Sequence, residues 1–192
     1  MPQRDYLTIV SGLPRSGTSM MMRMIDEGGI PALIDNVRKA DEDNPKGYYE
    51  FEPVKKTKHD ASWIADGLGK VVKMVHLLLL DLPLDYHYRV VFTRRHFDEV
   101  VKSQNVMLER HGKSTDDLPK DRMIAIYRTQ IEKVQNHMRA HPDRFQVLEV
   151  DYNAMIRDPR PQAEAVSGFL DGLDVDKMLG VVDPSLYRNR AR

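Results

Sequence analysis

Gly12 and Gly17 bracket the segment Gly12-Leu13-Pro14-Arg15-Ser16-Gly17, and Thr18 and Ser19 follow directly. Glycine-x4-glycine is the spacing of a loop that wraps its backbone around an anion, since glycine accepts the positive φ such a curl needs. Arg15 puts a full positive charge into the loop, and Ser16, Thr18 and Ser19 put hydroxyl donors there. A nucleotide-triphosphate P-loop carries a lysine after the second glycine, where this chain has Thr18. That lysine serves the β- and γ-phosphates, so the loop reads as a phosphate holder without γ-phosphoryl transfer.

A second pattern, Arg95-x7-Ser103, sets an arginine at the end of a strand and a serine about two turns into the next helix. The two can grip one phosphate, at a place expected well away from the glycine loop. Two anion sites in one cleft suit a nucleotide phosphorylated at both ends. Three side chains are candidate proton acceptors: Glu50, Glu52 and His76. Glu50 closes Asn44-Pro45-Lys46-Gly47-Tyr48-Tyr49-Glu50, on a loop that could cover the cleft. Glu52 directly precedes Pro53, where helix capping competes for it. His76 follows Lys73 by three residues, which puts the two on opposite faces of a regular strand. Glu50 is the preferred base.

These residues need a scaffold. Tyr6 to Ser11, Val71 to Val75, Arg89 to Thr93 and Phe145 to Val150 read as buried strands. Helices are expected from Thr18, from Pro53 to about Leu68, over Phe97 to Arg110, through Met123, Tyr127, Ile131, Val134 and Met138, and around 163–170 and 175–181. Strands alternating with helices and apolar on both faces imply an α/β fold, a P-loop-type three-layer sandwich with a central parallel sheet of four to five strands flanked by helices. Ligands in such folds sit at the C-terminal strand ends. The loop after strand one, Lys73 and His76, Arg94 and Arg95, and Tyr152 would collect there. Residues 30–52 look irregular and, with 111–121, are the expected walls of an acceptor pocket, where Tyr48, Tyr49, Phe51 and Trp63 could lie.

The 192 residues suit one domain, 1–192. Lys plus Arg and Asp plus Glu balance at 29 each, so no bulk field favours nucleic acid or membrane. The chain has no cysteine, which excludes disulfides, thiolate catalysis and cysteine-held zinc. No apolar run approaches the roughly 18 residues of a membrane span, and MPQRDYLTIV lacks a signal-peptide core; a cytoplasmic protein is expected.

Pro14-Arg15-Ser16-Gly17-Thr18-Ser19 resembles the 5′-phosphosulfate loop of sulfotransferases that use 3′-phosphoadenosine 5′-phosphosulfate (PAPS), in a form closest to tyrosylprotein sulfotransferases. Arg95-x7-Ser103 is similar to their 3′-phosphate motif. Val150-Asp151-Tyr152-Asn153-Ala154-Met155 with Asp158-Pro159 resembles the segment after their last core strand. Small bacterial members also carry Asn-Pro-x-Gly-Tyr-x-Glu and a tail like Leu186-Tyr187-Arg188-Asn189-Arg190. The resemblance implies PAPS as sulfuryl donor, adenosine 3′,5′-bisphosphate (PAP) as product, no metal, and a hydroxyl or amine on a small-molecule or carbohydrate acceptor. It implies that Pro14, Arg15, Ser16, Gly17, Thr18 and Ser19 hold the phosphosulfate, and that Arg95 and Ser103 hold the 3′-phosphate. Tyr152 would approach the adenine, Lys73 the transferred group, and Tyr187, Arg188 and Arg190 would close over the nucleotide. The rival readings are a P-loop small-molecule kinase, with Asp151 as its one tempting magnesium ligand, and a non-catalytic binder of the bisphosphate.

Overall fold

The computed structural model describes residues 4–35, 37–42, 44, 46–112 and 119–183. Four strands, β1 (Leu7–Gly12), β2 (Val71–Val75), β3 (Tyr88–Arg94) and β4 (Phe145–Asp151), form one sheet in the order β2-β1-β3-β4. Every pairing is parallel, with Gly12 opposite both Val75 and Thr93, and Arg94 opposite Asp151. The residues carrying β1 are wholly buried, and its side chains alternate between two cores. Leu7, Ile9, Val72, Met74, Val90 and Phe92 point to one, with Trp63, Ile64, Val100, Ile131, Val134 and Met138. Val10, Val71, Val91 and Val150 point to the other, with Met21, Met24, Ile25, Val166 and Met178. A sheet buried on both faces is why its strands read as nearly continuous apolar runs.

On the first face lie α2 (Trp63–Gly67), α3 (Phe97–Arg110) and α4 (Lys120–Ala140). The second face carries α1 (Thr18–Glu27), α5 (Tyr152–Arg157), α6 (Pro159–Phe169) and α7 (Val175–Val181). This is the expected α/β sandwich with a four-stranded parallel sheet. The helix expected from Pro53 to Leu68 is broken. A 3-10 turn covers Glu52–Lys56, and α2 begins only at Trp63. Thr57 Oγ1 donates to the Val54 carbonyl at 2.7 Å, and Asp60 accepts from the Ser62 amide at 3.0 Å and its hydroxyl at 2.7 Å. These local side-chain bonds offer the backbone an alternative to the helix ladder.

The chain leaves β1 for β2 on one side and β3 for β4 on the other. That reversal opens a crevice above the carboxyl ends of β1 and β3, where the glycine loop and Arg94-Arg95 emerge. At the end of the edge strand β4, Asp151 caps α5 by accepting the Ala154 amide at 3.0 Å. Asp151→Ala should therefore lower stability by about 1 kcal/mol in urea titration, and an unchanged midpoint would contradict the cap.

Candidate functional site

The glycine loop turns on two left-handed residues, Arg15 at φ 68° and Gly17 at φ 94°. Gly17 is the N-cap of α1, so the leading amides of that helix, which lack intrahelical acceptors, open on the crevice. A Cβ on Gly17 would lie 2.3 Å from Tyr152 Cδ2, so only glycine lets the tyrosine ring seat against the loop. Beneath the loop, Ser16 Oγ donates to the Leu13 carbonyl at 2.6 Å and pairs with Thr93 Oγ1 at 2.8 Å. The Ser16 amide also bonds to the Leu13 carbonyl, at 3.2 Å. Ser16, expected among the anion donors, is instead buried as the internal brace of the loop.

The cleft holds about 390 Å³ and is lined by Pro14, Arg15, Gly17, Thr18, Ser19, Lys73, Arg95, Ser103 and Tyr152 among others. Among the described residues, seven arginines and lysines line it against three carboxylates: Arg15, Arg23, Arg38, Lys46, Lys73, Arg95 and Arg110 face Glu42, Glu50 and Asp183. The two expected anion groups abut rather than stand apart. Arg15 Nε donates to Ser103 Oγ at 3.0 Å, and Arg95 Nη1 donates to the Arg15 carbonyl at 2.9 Å. The reason is topological: β1 and β3 are adjacent, so the loops that leave them meet.

Lys73 projects from β2 into the cleft. Its Nζ donates to the Tyr48 carbonyl and lies 3.4 Å from Ser19 Oγ and 3.5 Å from Glu50 Oε1. Burial drives its pKa down to about 8, although Glu50 pulls it back up. Arg38 bonds the same Glu50 oxygen at 3.0 Å, and its guanidinium lies 3.4 Å from the centre of the Tyr48 ring. Tyr48 donates to Asp41 at 2.7 Å, and burial, then that bond, pushes its pKa up to about 12. Asn44 Nδ2 donates to Ser19 Oγ at 2.9 Å. The irregular stretch between α1 and the 3-10 turn at Glu52 thus forms one wall of the cleft, as a functional loop would.

The structure separates the three base candidates. Glu50 lines the cleft. His76 does not: it is buried, its Nε2 pairs with Gln130 Oε1 at 3.0 Å, and burial lowers its pKa. The chain leaves β2 at Val75 for a 3-10 turn over His76–Asp81, which carries the ring into the layer against α4. Glu52 pairs with Lys55 at 2.5 Å and is not part of the lining. Of the aromatics expected at the wall, Tyr48 lines the cleft. Phe51 and Trp63 pack edge to face in the first core at 5.9 Å, and Tyr49 packs against the second. Tyr187, Arg188 and Arg190 lie outside the described residues. So do Asn36, Asp43, Pro45 and 113–118. Among the described residues no group of three or more His, Cys, Asp or Glu could hold a metal ion, and no helix is long and apolar enough to cross a membrane.

Sequence reading missed Arg38, which bonds Glu50, and the buried pairing of Arg95 with Glu99, to which Asn153 also donates. Glu99 carried a signal, since it stands one helical turn after Arg95, at ion-pair spacing. Arg38 lies in an irregular segment and carried none.

Residues 47–177 match the model of the sulfotransferase family, and the chain belongs to that family. The glycine loop precedes the matched span. Among curated proteins, none is similar enough in sequence to match. Solved structures share the fold. The sulfotransferase domain of the olefin synthase from Synechococcus PCC 7002 aligns at TM-score 0.61 and 13% identity, over 97% of this chain and 87% of its own. The sulfotransferase STF1 of Mycobacterium tuberculosis H37Rv aligns at TM-score 0.60 and 16% identity, over 93% and 71%. The sulfotransferase domain of the curacin biosynthetic pathway aligns at TM-score 0.58 and 13% identity, over 94% and 79%.

Gly17→Ala meets both the Tyr152 ring and an unfavourable φ. It should cost at least about 1–3 kcal/mol in denaturant titration, and a midpoint equal to wild type would contradict the tight seating of the ring.

Proposed function

We infer that this chain transfers a sulfuryl group from PAPS to a hydroxyl or amine of a small-molecule or carbohydrate acceptor. The observation that carries the reading is the meeting of three features in one cleft: the helix-capped glycine loop, the adjoining pair Arg95 and Ser103, and Lys73 beside Glu50. The residues present fit the donor. A nucleotide bearing 3′- and 5′-anions on one ribose needs two cationic groups side by side, and Arg15 and Arg95 meet that need. Bound donor would supply the sulfuryl group and a leaving phosphate.

Thr18, Ser19 and the α1 amides would hold the 5′ end, with Arg15 and Lys73 as fixed charges where negative charge grows. Preorganised donors and charges in a partly dry site act without reorganising, which is why they favour the transition state. Arg95 and Ser103 would hold the 3′-phosphate. Glu50, held between Arg38 and Lys73, would take the acceptor proton. Lys73 beside it keeps the proton acceptor and the leaving-group charge within one side chain of each other. Asp151 weighs against the kinase reading, because its carboxylate caps α5 rather than facing the cleft.

Three results test this. Transfer of labelled sulfuryl from PAPS should persist in excess EDTA, and Asp151→Ala should leave it intact; a strict magnesium requirement or a dead Asp151→Ala would favour the kinase. Glu50→Gln should lose about 10²–10⁴-fold in turnover while binding PAP near pH 6; full activity would remove Glu50 as the base. Protonated Lys73 attracts phosphate, so PAP affinity should fall as pH rises through about 8. Glu50 raises that pKa, so in Glu50→Gln the fall should begin at lower pH. A limb that stays where it was would show that Lys73 does not govern it.

A further inference from the structure

Behind the cleft lies a buried ion pair that the transfer step does not use. Arg95 Nε and Glu99 Oε2 meet at 2.9 Å, with the side chains 7% and 2% exposed. Asn153 Nδ2 donates to the same oxygen at 3.0 Å, and Asn153 Oδ1 accepts the His96 amide at 3.2 Å. From this clamp Arg95 reaches forward. Its Nη1 holds the Arg15 carbonyl, and its guanidinium lies 4.7 Å from the centre of the Tyr152 ring. Arg95 lines the cleft and Glu99 sits behind it.

A carboxylate this far from water is costly, and a buried ion pair is seldom the most stable way to fill such a space. Its physical use is orientation. The guanidinium is a rigid planar fork on a flexible stem, and a charged acceptor on its Nε edge fixes the plane of the fork. Here one edge is fixed by Glu99, one amine by the Arg15 carbonyl, and one face by Tyr152. Asn153 locks the carboxylate in turn, and ties the start of α5 to the start of α3. The clamp therefore joins the loops after β1, β3 and β4.

We propose that Glu99 is a positioning residue for nucleotide selection: it sets the Arg95 fork so that its cleft side recognises a 3′-phosphate, and so makes the site favour a 3′,5′-bisphosphate over a 5′-monophosphate. The proposal rests on the donor reading above. A purely structural ion pair would weaken both nucleotides alike when broken.

The test uses the full chain, calorimetric titration with PAP and with adenosine 5′-monophosphate, and the ¹⁵N signal of Arg95 Nε–H. Glu99→Gln keeps the volume and an acceptor oxygen but removes the charge. It should cut the bisphosphate-to-monophosphate affinity ratio by about tenfold, or roughly 1.4 kcal/mol, mainly through PAP, and should speed exchange of the Arg95 Nε–H with water. An unchanged ratio, or equal weakening of both nucleotides, would overturn the proposal. Should Glu99→Gln fail to fold, Asn153→Ala removes a donor to the carboxylate and should lower the same ratio, by less; no change there would overturn it equally. A wild-type chain that binds the two nucleotides equally would refute the donor reading. The Arg95 signal would then judge the orientation by itself: faster exchange in the variant upholds it, and unchanged exchange overturns it.

Discussion

The Arg15 carbonyl, held by the Arg95 guanidinium, is the contact on which the site depends. Arg15 is a non-glycine residue in left-handed backbone, which costs about 1–2 kcal/mol. Such a conformation persists only where the surroundings over-determine it. Arg95 supplies one constraint from β3, the internal bonds of Ser16 supply another from below, and Tyr152 closes the third side against Gly17. The loop is thus shaped by side chains from three strand ends rather than by its own glycines alone. The same three ends form the rim of the crevice, so the sheet and the loop share one set of constraints.

Charge follows from the same geometry. The chain as a whole is neutral, yet among the described residues seven cations and three carboxylates line the cleft. Parallel strands all deliver their C-terminal residues to one edge, and here those residues or their close neighbours are basic: Arg15 after β1, Lys73 in β2 and Arg95 after β3; Arg94 pairs instead with Glu149 outside the cleft. The acids moderate this field locally. Glu50 offsets part of the effect of burial on Lys73, whose pKa is still lowered, and Glu99 holds Arg95 from behind. An electropositive cleft on a neutral molecule attracts an anionic ligand to one place.

Much of this is legible in the amino-acid sequence. The strands were apolar on both faces, and a doubly covered parallel sheet leaves that mark. The glycine loop announced itself because its spacing is a backbone requirement. Three things were not legible, each for a physical reason. The helix expected from Pro53 had the right apolar spacing, but Thr57, Asp60 and Ser62 spend their side chains on local bonds that interrupt it. Ser16 looked like a ligand donor, and only the packing of β3 beneath the loop shows its hydroxyl turned to Thr93. The separation of the two anion groups was misjudged because the position of β3 beside β1 is a property of sheet order, which no local pattern encodes.

The central claim is that Arg15 neutralises charge that develops as the sulfuryl group leaves, in a cleft where Arg95 holds the other end of the same nucleotide. Single-turnover transfer from PAPS by Arg15→Ala, measured together with PAP affinity, tests it most directly. The account predicts that transfer slows by an amount near that of losing one oxyanion donor, about 2.7–4 kcal/mol of barrier, while affinity changes much less. Transfer at the wild-type rate, or a loss confined to affinity, would contradict it.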